Sequence, residues 1–179
     1  LEADSLRPVS IPEELISAFF PFGPPEETDA REPFPKATTP PPGVFTLHER
    51  VGWRDIDPAQ HVNNANYLAY IEDCGVEVAA AYGWPMTRMM EEGFGIVARR
   101  FRIEYRLAAV LGDTLEIATW ISNIRRATAV RHYTIKRLSD GELIARAHVL
   151  WVWVDLESGR PMRPPNGFMD DFAANISED

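Results

Sequence analysis

Between Asp57 and Tyr67 the chain reads D-P-A-Q-H-V-N-N-A-N-Y, so a carboxylate, an imidazole and the paired side-chain amides of Asn63 and Asn64 stand together just before an apolar segment. The preceding run, Val44 to Arg54, has the pattern of a strand, which makes the stretch a strand-to-helix loop. A helix start leaves backbone N–H groups that no residue inside the helix can satisfy. Those donors and the helix dipole favour negative charge, including the oxyanion of a carbonyl under attack. A carboxylate beside such a turn can attack the carbonyl or draw a proton from water. The chemistry so described is hydrolytic. The same residue types also serve structure: Asp57 would cap the turn, and Asn63 or Asn64 the helix.

The elements that must position this loop follow from periodicity. A helix is expected from Asn64 or Ala65 to Tyr82, stopped by Gly83 with Pro85 shortly after. Tyr67, Leu68, Tyr70, Ile71, Val76 and Val78–Ala81 make it apolar nearly all round, which predicts a buried helix. A short helical piece over Pro85–Glu91 follows, then strands near Phe94–Leu107, Thr114–Ile124, Ala127–Leu138 and Glu142–Val154. Leu115, Ile117, Thr119 and Ile121 alternate with Glu116, Ala118, Trp120 and Ser122 at the period of a sheet. Asp140-Gly141 between apolar runs predicts a hairpin turn. One buried helix followed by four strands predicts an α+β fold with an antiparallel sheet wrapped around the helix.

Composition narrows the classes. At 179 residues, 45% apolar and 25% charged, the chain suits one globular domain with a core that needs no staple. Cys74 is the only cysteine, so no internal disulfide forms and a reducing, cytoplasmic setting is expected. It reads as a small core residue. No apolar run approaches the roughly 18 residues of a membrane span, and Leu1-Glu-Ala-Asp is not a signal peptide. A formal charge of −9 argues against general nucleic-acid binding. The four histidines, at 48, 61, 132 and 148, are too scattered for a metal site, and no Gly-rich phosphate loop occurs, so no cofactor is expected.

Charge is uneven. Residues 1–43 carry three basic and eight acidic side chains, whereas residues 99–137 carry nine basic against three acidic. The basic set is Arg99, Arg100, Arg102, Arg106, Arg125, Arg126, Arg131, Lys136 and Arg137, either solvated strand faces or a patch for an anionic ligand. Arg125 and Arg126, in a turn between strands, are the candidates for phosphate contact.

Residues 1–43 also hold 10 of the 15 prolines and read as an extended linker. Their opening, Leu1 to Phe19, parallels Asp155 to Phe172: an acid and a serine, Arg-Pro, a hydrophobe, Pro, then a short helix-like stretch ending in Phe. Such a repeat suggests that the chain begins inside the tail of a preceding unit of the same kind. The expected organisation is therefore residues 1–43 as a linker or preceding tail, 44–165 as the domain, and 166–179 as a C-terminal tail with a short helix.

Asp55-Ile-Asp57-x-x-x-His61-Val-Asn-Asn-x-x-Tyr67, continued by Leu68-Ala-Tyr-Ile-Glu-Asp73, resembles the signature of hot-dog-fold thioesterases. Glu104-Tyr-Arg106 with Gly112-Asp113, Asp140-Gly-Glu142, and Val152-Trp-Val-Asp155 with Gly159-Arg-Pro161 match in order. The similarity covers about residues 44–165, and the nearest branch is the 4-hydroxybenzoyl-CoA thioesterase-like group, with its acyl-CoA and plant-type acyl-ACP thioesterases. The resemblance implies the hot-dog fold, with Asp57 as nucleophile or general base, His61 orienting Asp57, hydrogen-bonding the substrate or serving as a second base, and the backbone amide of Asn64 as oxyanion donor. The candidates for substrate contact are Asn63, Tyr67 and, on their charge and turn position, Arg125 and Arg126; Asn63 would also brace the loop or a neighbouring subunit, and Tyr67 would also pack the helix. Asp55 would be structural or orienting. Trp84, Met86, Met89, Met90 and Phe94 would gate or line an acyl tunnel. The plant enzymes carry an Asn between acid and histidine where this chain has Ala59, and a later cysteine that it lacks, which favours an acid-centred mechanism. The implied substrate is an acyl-CoA or an acyl-ACP, and a non-catalytic acyl-thioester-binding module is the alternative of another class. Two units would pair edge to edge, as a homodimer, a tetramer or a pseudo-dimer within a tandem parent.

Overall fold

The two periodicities resolve into five strands and four α-helices among residues 9–24, 32–36 and 38–178, which a computed structural model describes. In chain order they are α1 (Glu13–Phe19), β1 (Phe45–Arg50), α2 (Asn66–Ala81), α3 (Met86–Glu91), β2 (Phe94–Tyr105), β3 (Thr114–Ser122), β4 (Thr128–Arg137), β5 (Leu143–Asp155) and α4 (Phe168–Asp171). The chain divides at Pro33 into two units. In the first, α1 has no buried residue. The Arg7-Pro8 pair on which the terminal similarity rests lies outside the described residues.

The second unit, from Phe34 on, is one antiparallel sheet in the order β1-β3-β4-β5-β2. Leu115 and Ile117 of β3, Tyr133 and Ile135 of β4, and Ala145, Ala147 and Val149 of β5 meet Tyr70, Ile71 and Cys74 of α2 in one core. This is the hot-dog arrangement, a helix cradled by a sheet. Cys74 is fully buried, and burial pushes its thiol up to about 12, so it is a packing group. Close approach of helix to sheet depends on Gly75, where a Cβ would lie 3.1 Å from the Tyr133 hydroxyl.

Two expectations are corrected. The first strand ends at Arg50 rather than at residue 54, because Val51 N–H donates to Asp113 C=O and a 3₁₀ turn over Trp53–Asp55 follows. The Asp55 carboxylate stops the ladder by accepting the Gly52 N–H at 2.7 Å. The helix is not buried all round, either: Leu68, Glu72, Asp73, Val76 and Glu77 are exposed. One sheet covers only one side of a helix, so the other side of α2 keeps its apolar Leu68 and Val76 in the open.

The far end of the core is closed by residues 162–178. Phe168 and Phe172 are buried and stacked 4.7 Å apart, with Trp153 and Trp84 around Phe168 and Tyr82 on Phe172. Ile176 bridges Ile121 in parallel, and Asn175 Nδ2 donates to the carbonyls of Gly43 and Thr119. Gly43 is required here, since a Cβ would come within 2.5 Å of Ala174 O.

On the outer face of the sheet His132 stacks on Trp120, shares a 2.6 Å hydrogen bond with Ser122 Oγ and a 3.0 Å one with His148. Burial, with His148 and Arg131 close by, pulls His132 down to about 4, and burial lowers His148 too. The unfolded chain, with histidines near their ordinary value of about 6.5, takes up these protons first. Stability is therefore complete above about pH 6.5 and falls as the pH drops toward 4. Thermal denaturation from pH 7 to pH 4 should show that decline, and His132→Gln should flatten it. A wild-type midpoint constant across this range would contradict the assignment.

Candidate active site

The loop between Asp55 and Asn66 is built by its own backbone. Ile56 and Val62 form an antiparallel bridge, Asp57 N–H donates to His61 C=O at 2.9 Å, and Gln60 N–H returns to Asp57 C=O at 2.9 Å. Gln60 takes up the left-handed conformation at φ 65° that closes so tight a turn. The loop is tethered below by Val62 N–H to Ala109 C=O and by the Asp55 carbonyl, which accepts from Asn63 N–H and Asn66 Nδ2. Asp55 is buried. Its carboxylate, held by Gly52, also faces Tyr70, whose hydroxyl burial and this charge push up. Asp55 is thus the foundation of the loop, and Asp57 is its half-buried outer acid.

Asp57 Oδ1 accepts the Ala59 N–H at 2.8 Å, which fixes the carboxylate in an Asx turn. Its Oδ2 has no partner among the described residues. His61, also half-buried, projects from the return side of the same turn. Asn63 Oδ1 accepts the Ala65 N–H at 2.9 Å in an Asx turn that leads into α2, whose N-cap is Ala65 and carries no side-chain capping bond, contrary to the expectation that Asn63 or Asn64 caps the helix. Asn64 is exposed, and its N–H has no acceptor among the described residues, which leaves one donor open at the head of α2. Its carbonyl is instead held by the Tyr105 hydroxyl at 2.9 Å, from the last residue of β2. Tyr105 was legible only as part of a motif, and its role in bracing Asn64 follows from strand pairing. An acid with one free oxygen and a free backbone donor thus stand in one loop, a pair able to act on a carbonyl and to stabilise the charge that develops on its oxygen.

The other candidates separate. Tyr67 is buried in the core, edge-on to Tyr70 and Tyr105. Arg125 and Arg126 are exposed in the β3–β4 connection, beyond Ser122. The Asp57 loop leaves from the Arg50–Thr114 end of the sheet, so the length of β3, about 27 Å, divides it from them. Arg137 is bound to Asp113 and Asp140, and Arg131 belongs to no surface patch: it is buried on the inner side of β4. An apolar cavity of about 110 Å³ beside α2 is lined by Met86 and Met89 but not by the other three tunnel candidates. Trp84 and Phe94 are packed behind it, Trp84 bonded to Asp171, and Met90 is exposed. Among the described residues no group of His, Cys, Asp or Glu is placed to hold a metal, and no helix is long and apolar enough to cross a membrane.

Comparison with known proteins gives the following. Residues 51–174 match the sequence model of the Thioesterase-like superfamily. The acyl-CoA thioester hydrolase YbgC of Escherichia coli O6:H1 is 30% identical over 129 residues, 72% of this chain and 96% of that protein. The long-chain acyl-CoA thioesterase FadM of Escherichia coli K12 is 28% identical over 110 residues, 60% of this chain and 80% of that protein. Among solved structures, Slr0204, a 1,4-dihydroxy-2-naphthoyl-CoA thioesterase from Synechocystis, superposes with a TM-score of 0.68 at 20% identity, covering 73% of this chain and 96% of that one.

Proposed function

The chain belongs to the Thioesterase-like superfamily and is a thioester hydrolase; from that premise we propose that it hydrolyses acyl-CoA, with Asp57 as its catalytic acid. The observation that carries this reading is the presence, in one loop, of the Asp57 carboxylate and the Asn64 N–H just ahead of α2, with Asp57 Oδ2 and that N–H without partners among the described residues. Asp57 acts on the thioester carbonyl, directly as nucleophile or through a water as general base. The negative charge that develops on the carbonyl oxygen is received by Asn64 N–H and the dipole of α2. The C–S bond then breaks, CoA leaves as thiolate and is protonated, and water supplies the oxygen of the released carboxylate. His61, in the same loop, would hydrogen-bond the acyl group or serve as a second base. The two named relatives act on acyl-CoA, which supports CoA as the carrier.

A second copy of the chain completes the site. β2 is an edge strand, with Val97, Phe101 and Tyr105 exposed along it, and such an edge calls for another strand. Pairing about a two-fold axis would join the sheets of two protomers and bring cationic side chains of one, Arg125 and Arg126 among them, toward CoA phosphates bound at the other.

The test is thiol release from short-, medium- and long-chain acyl-CoA. Turnover that saturates in the micromolar range for one chain-length class is the expected result. No turnover on any CoA ester, with turnover on the matching acyl-ACP, would replace the carrier. Tight acyl-CoA binding without hydrolysis of either would overturn the catalytic role of Asp57.

A further inference from the structure

Arg131 stands where an arginine is costly. It is 93% buried by its 7% exposure, and no carboxylate pairs with it among the described residues. Its guanidinium, with five donors, makes two long hydrogen bonds from Nη1, to Thr119 Oγ1 at 3.5 Å and to Asn175 Oδ1 at 3.4 Å. Both acceptors are aimed at it by other bonds. Thr119 Oγ1 gives its own proton to His132 C=O, and Asn175 Nδ2 is anchored on Gly43 and Thr119, which turns Oδ1 toward the arginine. The Phe172 ring lies beneath the guanidinium, 5.5 Å away. The side chain is thus held in place, yet Nε and Nη2 have no acceptor among the described residues. A buried cation without a counter-charge is strongly disfavoured, and a guanidinium stays charged.

Arg131 also lines the apolar cavity beside α2. Met86, Met89, Ile96, Trp151, Trp153 and Phe168 form most of the remaining wall. Trp151 and Trp153 each bury an indole N–H that has no acceptor within hydrogen-bond distance among the described residues. The indoles and the guanidinium can only donate. Glu72 is the one acidic side chain in the lining, and it is exposed to solvent on α2. At about 110 Å³ the space holds on the order of ten water-sized atoms, the bulk of a short acyl group. By helix rise the lining residues of α2, Glu72 to Ala79, lie between about 9 and 20 Å from the helix head where Asn64 waits.

We propose that this cavity receives the acyl group and that Arg131 is its specificity-determining residue, binding a carboxylate at the far end of the acyl chain, so that the preferred substrates are thioesters of short dicarboxylic acids. The inference rests on the acyl-CoA hydrolase reading above. A terminal carboxylate brings two oxygens in the plane that a guanidinium fork matches, and it supplies the missing counter-charge. The methylene chain lies against methionine and aromatic side chains. A monocarboxylic acyl group of the same length leaves the guanidinium unpaired and must bury a methyl group against it, so selectivity arises from an unmet polar group rather than from added contact.

The experiment compares adipyl-CoA with hexanoyl-CoA, and suberyl-CoA with octanoyl-CoA, on the wild-type full-length chain. A kcat/KM higher by about 10²-fold for the dicarboxylic member of each pair is expected. Arg131→Met should remove that preference or reverse it, and Arg131→Lys should recover part of it. Independently, adipate should quench the fluorescence of Trp151 and Trp153 at concentrations where hexanoate does not, and Arg131→Met should abolish the difference. Equal or better turnover of hexanoyl-CoA by the wild type overturns the proposal while leaving the hydrolase reading intact. Adipate binding that depends on Arg131, with no turnover of any CoA ester, sustains the cavity assignment and overturns the hydrolase reading. A folded Arg131→Met protein with unchanged preference would show the arginine to be a strut for Asn175 and nothing more.

Discussion

Asp57→Asn should lower kcat on the best acyl-CoA by about 10³-fold or more, with KM changed by no more than a few-fold. The substitution is nearly isosteric. The amide oxygen can still accept the Ala59 N–H that Oδ1 accepts at 2.8 Å, so the Asx turn and the path of the loop survive. What is lost is the negative charge and the free second oxygen, the two properties that let the side chain attack a carbonyl or take a proton from water. Substrate binding is left to the cavity and to the CoA contacts, none of which includes Asp57, so the effect concentrates in kcat. Steady-state thiol release, with circular dichroism to show equal folding, reads the result. Full activity in Asp57→Asn would remove the acid from the mechanism and leave the fold untouched. Asp55→Asn is the informative contrast: Asp55 is buried and committed to Gly52, and its loss should show first in stability.

The second large effect concerns the C-terminal segment. Phe172→Ala should destabilise the protein by about 3–5 kcal/mol and lower the thermal midpoint by roughly 10 °C or more. Phe172 is fully buried between Tyr82 and Phe168, stacked on both at 4.7 Å, and its removal opens a cavity that two rigid rings cannot close. It also strips the ring from under Arg131 and loosens the strand-like Ile176 on β3. Denaturant unfolding of the variant against wild type measures the difference. A loss below about 1 kcal/mol would show that residues beyond Gly167 lie on the domain without closing its core.

How much of this was legible beforehand depends on the range of the interactions involved. The shape of the candidate loop was, because everything that makes it is local: Asp57, His61, Asn63 and Asn64 fall within eight residues, and the turn that joins them is closed by bonds between near neighbours. The strand and helix types were, because period 2 and the helical period are written into consecutive residues. The 3₁₀ turn after β1 was not, since it depends on Val51 pairing with Asp113 from another part of the chain. The exposed side of α2 was not, since apolar content says that a helix can be buried and only the number of sheets says how much of it is.

Arg131 marks the limit most sharply. In the sequence it is one of nine basic residues between 99 and 137, with His132 and Tyr133 beside it, and binary pattern would send it outward. In the fold all three are buried, because inner and outer faces of the sheet are both covered at this point of β4. Its partners, Thr119 and Asn175, lie 12 and 44 residues away. The sequence by itself determined the elements, the hairpins and the reactive loop, all of them products of backbone preference and side-chain period over a few residues. Only the tertiary structure decided that the loop is braced by Tyr105, that the C-terminal residues fill the core, and that one arginine faces an apolar cavity without a counter-charge among the described residues. Those outcomes follow from strand register and packing between distant segments, which no local pattern carries.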